Sequence, residues 1–539
     1  MAVTVADPEP GVPHEAETPR AKRAWRAWLI RLVAVAAAGV LYYLSFAPRP
    51  LWWLAPIAFA AFALVLRGRK FRGAFGYGFV FGLAFFLTQL LWIQDFLGRE
   101  FGPWPWLGLS FALALYFGLG GFLITVVSRL PPAPLWGALV FVALETPRTW
   151  FPLGGFPWGR VAFSQPEGAF LSLASVGGAP LVGFAVVLTG FGLAALLARL
   201  YTTRRVRDRA LAWPVAFTLV PAIAGLAVWP TIGTAAQDGS LTVATVQGNA
   251  PDIGIALQGQ RDVLRNSHLA ESARLLQQVR SGAVARPDLL VWPETATAIY
   301  DDDPGLDRMV SAFGVPAIIG ALVRLPDGQD ENDALAWDPR TGPGARYTKQ
   351  ELVPFGEYVP ARALARLVTP FVDNTPEIRA GDGTNAALSV AGTKVGVFIC
   401  YETAFDGPAR DAVDQGGELL VVPTNNAWYG PGEMSYQQLA MSRLRAVEHG
   451  RAVVVSATTG VSALVAPDGT ITSSTGLFTA DALVGRVPLR TQTTLSDRLG
   501  AWTEYGLLAL AIAGVAGGAV LRFRTRRASA GTTAGEPAG

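Results

Sequence analysis

Three residues on separate short runs have the types needed for covalent catalysis. They are a carboxylate, Glu294 in "LLVWPET" (289–295), an amine, Lys349 in "YTKQELVPFGEYVP" (347–360), and a thiol, Cys400 in "GVFICYETAF" (396–405). Cys400 is the only cysteine in 539 residues. It follows the apolar run "KVGVFI" and opens the polar "CYE", which predicts a strand-to-helix turn. A nucleophile at such a turn points out of its sheet, with backbone N–H groups at hand for an oxyanion. A thiol needs a base or a cationic neighbour to become a thiolate. Histidine is the usual partner, but the chain has three. His14 is in a polar tail, and His268 and His449 fall within helical patterns, where packing or solvation is the plainer role. Glu294 ends an apolar run beside Trp292 and Pro293, where partial desolvation suits a general base. Lys349 stands in a region poor in lysine and supplies a cation for a tetrahedral oxyanion. Lys394 instead begins the Cys400 strand, in solvent. Each of the three has a plainer reading: a packed cysteine, an exposed strand-end glutamate, a solvated loop lysine.

These residues sit in a segment, about 238–495, that reads as a folded α/β domain. Short apolar runs recur at 241–249, 289–294, 317–323, 395–401, 419–425, 451–457 and 462–469. Several are continuously apolar, as strands buried on both faces are. Helical patterns lie between them at 260–280 and 435–450. "APDGT" signals a turn between two strands. The expectation is a layered α/β sandwich.

The rest of the chain differs. Overall 51% of residues are hydrophobic and 16% charged, against about 25% charged in average soluble chains. Seven apolar stretches precede residue 231, roughly 28–46, 51–67, 73–96, 104–128, 134–150, 169–199 and 211–230. An eighth lies at 502–522. Spanning a bilayer takes about 20 such residues. The sixth carries Gly177, Gly178 and Pro180, which predicts a kink or a re-entrant start. The basic clusters "RGRKFR" (67–72), "SRLPP" (128–132), "RLYTTRRVRDR" (199–209) and "RFRTRR" (522–527) fall on one side if the spans alternate. The positive-inside rule then places both termini in the cytoplasm and the α/β domain on the far side. Residues 1–25 and 524–539 read as tails. The net charge of +3 gives no case for nucleic acid. One cysteine and three histidines exclude a disulfide framework and a Cys- or His-rich metal site.

The order Glu294, Lys349, Cys400, with "FPWGRVAFSQ" (156–165), "VQGN" (246–249), "WPET" (292–295), "LVPFGEYVP" (352–360), "CYE" (400–402), "NNAWYG" (425–430) and 443–469, resembles the nitrilase superfamily. Within it the chain is similar to the membrane-embedded apolipoprotein N-acyltransferase family, over about 26–523. The resemblance implies eight membrane spans in a polytopic helical domain (26–230, then 500–523). It also implies an α-β-β-α nitrilase-like sandwich (238–495) with a Glu-Lys-Cys triad. It implies acyl transfer from a phospholipid, through a thioester on Cys400, to the α-amino group of a diacylglyceryl-modified N-terminal cysteine. No metal or organic cofactor is implied. Four more site residues follow from it: Glu357 to orient Lys349 or the amine, Glu402 to position the loop or substrate, Tyr401 beside the nucleophile, and Asn332 of "END". For Glu402 the alternative is a helix N-terminal acid favoured by the macrodipole. Two departures stand out: no Trp lies in the stretch 250–260 just after "VQGN", and "EHGR" (448–451) carries a His. The runs 366–372 and 428–430 are candidate lipid-dipping lids or plain core. Competing functions are a catalytically inactive scaffold, which the intact triad disfavours, a membrane-tethered amidase, and a transporter. The latter predicts ionisable residues within the spans, where Glu145 is the main one.

Overall fold

The computed structural model describes residues 19–533 apart from 153, 204–208, 251–259, 301–302, 367–371 and 374–375. The tail 1–18, most of 250–260 and most of the 366–372 run therefore lie outside the described residues.

Among the described residues, six helices are long and apolar enough to cross a bilayer: Trp25–Leu44, Phe71–Gln89, Trp104–Val127, Leu171–Thr202, Arg209–Thr231 and Trp502–Thr525. Leu54–Leu66 is apolar but shorter. The first helix begins at Pro19 and the last runs to Thr533, so both extend into stretches expected as tails. Ala, Arg and Lys there are good helix formers. The third stretch stops at Gln89, and the chain restarts as Ile93–Phe101 with Asp95 and Arg99 in it. The fifth gives only Ala133–Ala143 and a turn, Glu145–Arg148. Its last residues are drawn into buried ion pairs and Pro147 interrupts the helix. The sixth is kinked as expected, at Gly177 and Gly178. Gly178 has φ +67°, and a Cβ there would come within 2.5 Å of the Glu448 carboxylate. Phe71–Gln89 and Trp104–Val127 pack backbone to backbone through small residues. A Cβ on Gly78 would meet the Phe117 carbonyl at 2.3 Å, and one on Gly121 the Ala74 carbonyl at 2.3 Å.

The second region is built on two sheets. One contains β1 (Ser240–Gln247), β2 (Leu289–Ile299), β3 (Ala317–Arg324), β4 (Asp330–Asp338), β5 (Gly342–Thr348), β6 (Ile378–Arg379) and β13 (Asp481–Pro488). Its order is β13-β1-β2-β3-β4-β5, with β6 beside β4. The other contains β7 (Ala387–Val390), β8 (Thr393–Val397), β9 (Leu419–Thr424), β10 (Val453–Ala457), β11 (Ala463–Val465) and β12 (Ile471–Ser474), in the order β12-β11-β10-β9-β8-β7. Val243, Leu289, Val291 and Ile318 of the first sheet share one core with Val395, Leu420, Val422 and Val455 of the second. Trp292, Leu290 and Ile319 point the other way, onto Leu275, Leu306 and Val310 of the helices Arg261–Arg280 and Pro304–Phe313. Gly407–Asp414 and Met434–His449 cover the second sheet. The architecture is the expected α-β-β-α sandwich.

The two regions meet through buried charge. Arg160 Nη1 donates to both Asp406 oxygens at 2.9 Å, and Arg445 Nη1 reaches the same carboxylate at 2.7 Å. Arg445 also pairs with Glu448 and donates to the Thr403 carbonyl at 3.0 Å. Glu145 lies 3.7 Å from Arg160 and accepts from the Val161 N–H at 2.8 Å. Arg160 and Arg445 are at most 2% exposed. Burial pushes the Asp406 carboxyl up, but Arg160 and Arg445 outweigh it and hold it well below the usual carboxylate range. "FPWGR" is thus a joint: Trp158 Nε1 donates to Gln437 at 2.7 Å, and Arg160 reaches the turn that carries the cysteine. Removing one partner of a buried pair leaves an uncompensated charge. Arg160→Met is expected to cost about 3–5 kcal/mol, with Arg160→Lys intermediate. The apparent melting temperature of the detergent-solubilised protein checks this.

Candidate active site

Glu294 lies within β2 at an irregularity, where the register against β3 shifts between Trp292 and Thr297. Thr295 has φ +47°. Such a bulge re-aims a side chain. It needs Gly320 on the neighbouring strand, because a Cβ there would sit 2.1 Å from the Pro293 carbonyl. Lys349 follows β5, and its N–H donates to the Asn332 carbonyl at 2.9 Å, which fixes where the side chain starts. Cys400 follows β8 and opens the 3₁₀ turn Cys400–Ala404, with φ +52°. A non-glycine residue in that region stores strain that its surroundings must hold. The strand-to-turn placement matches the expectation from "FICYE".

These three residues line one cavity of about 80 Å³. Lys349 Nζ donates to Glu294 Oε1 at 2.7 Å and lies 3.0 Å from Glu357 Oε2. The ammonium is 1% exposed. Burial alone would lower its pKa. The carboxylates of Glu294 and Glu357 outweigh that and hold it well above the usual amine range. Asn332 Nδ2 donates to Glu294 at 2.8 Å and to Glu357 at 2.7 Å. Asn332 therefore belongs to the cluster. Glu357 is tied back by the Val353 N–H at 2.7 Å, so the "LVPFGE" loop closes on its own carboxylate.

Glu402 does not enter the cavity. It is fully buried and accepts from Tyr347 Oη at 2.9 Å and from the Gln350 N–H at 2.6 Å. The Glu351 and Ile399 N–H groups point at it too. Burial pushes its carboxyl up to about 7 against those donors. Its place is between the Lys349 loop and the cysteine turn, which favours loop positioning over the macrodipole alternative. Tyr401 also points away from the cavity. Its Oη donates to the Gly155 carbonyl at 3.1 Å and its ring stacks on Trp158. It packs with the membrane region rather than beside the thiol. His268 is a packed helix residue, lowered to about 4 by burial, with Nδ1 2.8 Å from the Leu264 carbonyl. His449 pairs with Asp497 at 2.6 Å. Lys394 reaches the Gln415 carbonyl, away from the cavity.

Other contributors were not named as site residues from the sequence. The Asn425 N–H donates to Glu294 Oε2 at 2.8 Å. Gln438 Nε2 lies 3.5 Å from Cys400 Sγ and is held by Thr424 and Asn426. Phe96, from the short helix after the third stretch, lines the cavity with Trp428 and Tyr429. Tyr429 stacks edge-on to Trp92 and Phe96, so "WYG" is packed onto the membrane region and does not dip freely into lipid. "NNAWYG" was the signal that pointed there.

The cavity is arranged for a thiol that stays protonated until it reacts. Burial, and then the Glu294 charge, push Cys400 up to about 12, with Lys349 pulling the other way. Labelling of Cys400 by iodoacetamide is therefore expected to keep rising through about pH 10, past the ordinary thiol value. Glu294→Gln removes an anion that raises the thiol, so its labelling curve shifts to lower pH. Coincident curves for the two proteins would contradict this electrostatic reading.

Comparison with known proteins identifies the family. Residues 38–192 match the family described as apolipoprotein N-acyltransferase N-terminal domain, and residues 242–495 match carbon-nitrogen hydrolase. An apolipoprotein N-acyltransferase of Mycolicibacterium smegmatis is 37% identical over 91% of this chain and 84% of its own. Those of Azotobacter vinelandii and Pseudomonas syringae are 33% and 34% identical, over 94% and 86% of this chain and 97% and 91% of theirs. A membrane helical region, an α-β-β-α sandwich and this similarity along nearly the whole chain converge: the chain belongs to the apolipoprotein N-acyltransferase family.

Proposed function

We propose that this membrane protein moves a fatty acyl chain from a phospholipid to the α-amino group of a diacylglyceryl-cysteine at a lipoprotein N-terminus. The observation that carries the reading is one cavity lined by Cys400, Glu294 and Lys349, with Lys349 bound to Glu294 at 2.7 Å. Glu294 takes the Cys400 proton as sulfur attacks the ester carbonyl. Lys349 donates to the oxyanion. The C–O bond then breaks, the lysophospholipid leaves with the proton from Glu294, and a thioester remains. In the second half the amine attacks the thioester and gives a proton to Glu294. The C–S bond breaks, sulfur recovers the proton, and an amide is released. Glu357 and Asn332 hold Lys349 and Glu294 in register, and Glu402 fixes the loop between them. Tyr401 acts by anchoring the turn to the membrane region.

The positive-inside pattern supports a cytoplasmic location for both termini and an extracytoplasmic one for the catalytic region, with a division near residues 230–238. Phe96 in the cavity wall favours a lipid donor over a freely diffusing amide, because a residue of the membrane region then borders the reacting carbonyl.

Mass spectrometry of the purified protein with phospholipid is expected to show an acyl-sized gain on Cys400. The gain should be absent in Cys400→Ala and discharged by a diacylglyceryl-cysteine peptide. Discharge by water alone would make the protein a lipid hydrolase. Lys349→Met, by loss of one oxyanion donor, is expected to lower kcat about 10²–10³-fold, read as the rate of adduct formation.

A further inference from the structure

The larger cavity is not at the cysteine. It measures about 560 Å³, against about 80 Å³ around Cys400. Arg67 and Arg69 form its mouth after the helix Leu54–Leu66, and Arg199 comes from the end of Ala174–Thr203. Leu66, Ile124, Phe191 and Trp213 give it apolar walls. Thr125, Ser128 and Thr202 add hydroxyl groups.

Its position is fixed by the last helix. The C-terminal part of that helix places Arg522 beside this end, with Nε 3.2 Å from the Val126 carbonyl. Its start, Trp502, follows the turn Leu495–Leu499, which is tied to the catalytic region by Thr494 Oγ1 on the Glu448 carbonyl at 2.7 Å. The helix between the two ends covers roughly 30 Å at 1.5 Å per residue, about one hydrocarbon thickness. The cavity therefore opens at the membrane face opposite the catalytic region.

Its charge is one-sided. Among the described residues that line it there is no Asp or Glu. Lys70, Arg72 and Arg129 lie next to it in sequence and add to the positive field. Arginines and apolar side chains lining one cavity at a membrane face match an anionic head group with its acyl chains. An inorganic anion would satisfy the arginines and leave the apolar walls empty.

We infer that this cavity is a binding site for an anionic phospholipid of the leaflet opposite the catalytic centre, held by Arg67, Arg69 and Arg199 through its phosphodiester. The site is separate from the acyl-transfer cavity, and the inference does not rest on that reaction.

The test is photo-crosslinking of the full-length protein in phosphatidylcholine nanodiscs, with a phosphatidylglycerol that carries a diazirine on its head group. Labelled peptides are expected within 63–72 and 191–203, competed by unlabelled phosphatidylglycerol and not by phosphatidylcholine. Arg67→Gln/Arg69→Gln is expected to cut this labelling at least tenfold while labelling near the Cys400 cavity persists, which also shows that the variant is folded. Even labelling of all lipid-facing helices, or labelling unchanged in the double variant, would reduce the site to ordinary surrounding lipid and overturn the inference. Competition by inorganic phosphate would overturn it in favour of a soluble-anion site. Should the double variant lose all labelling, the wild-type peptide map and its competition by the two lipids decide alone.

Discussion

A cation with 1% exposure cannot stand alone in a protein interior. Lys349 is that cation, and much of the catalytic region is arranged to keep it charged. It needs two carboxylates, so β2 bulges to aim Glu294 and the "LVPFGE" loop folds back to bring Glu357. Two carboxylates on one ammonium need further donors, which Asn332 and the Asn425 N–H supply. The same cluster sets the state of the thiol. Burial and the Glu294 charge disfavour a thiolate there, so the sulfur keeps its proton until it reacts.

The second constraint is the joint between the regions. Asp406 stands six positions after Cys400, and Arg160 holds it from the membrane side. Arg445 completes the pair and carries the Thr403 carbonyl of the cysteine turn. The strained backbone at Cys400 is thus braced from a membrane segment on one side and from Glu402 on the other. Phe96 adds a wall to the cavity from the same region. The helices do more than anchor the catalyst, since part of the site's frame belongs to them.

The sequence was most legible where an apolar run ended in a polar residue. Glu294 and Cys400 were found that way, Lys349 stood out by the scarcity of lysine around it, and the sandwich followed from buried strands. Asn332 was named only by resemblance, because nothing in "END" distinguishes an inward amide from a loop residue. Gln438 was missed because an amide on a helix has no signature until a partner faces it, and Asn425 was quoted only as part of "NNAWYG", with no role given to it. Tyr401 stands next to the nucleophile in sequence, yet the reversed backbone at Cys400 sends its ring toward Trp158. Helix length was the least legible feature. The second and fifth stretches look long enough to span, but give helices of only 13 and 11 residues, Leu54–Leu66 and Ala133–Ala143, and the fifth ends where Glu145 lies beside Arg160.

The size of the cysteine cavity has a consequence for timing. About 80 Å³ admits a few water molecules and no fatty chain. On the proposed mechanism, an acyl group carried on Cys400 runs outward past Phe96 and Trp428, which line the same cavity, and its tail stays dissolved in the bilayer while its head is a thioester. The enzyme in that state is leashed to the membrane by its own cargo. The second substrate, also lipid-bound, would then meet it by diffusion in two dimensions. How long the leash survives depends on how few waters share that small chamber with the carbonyl.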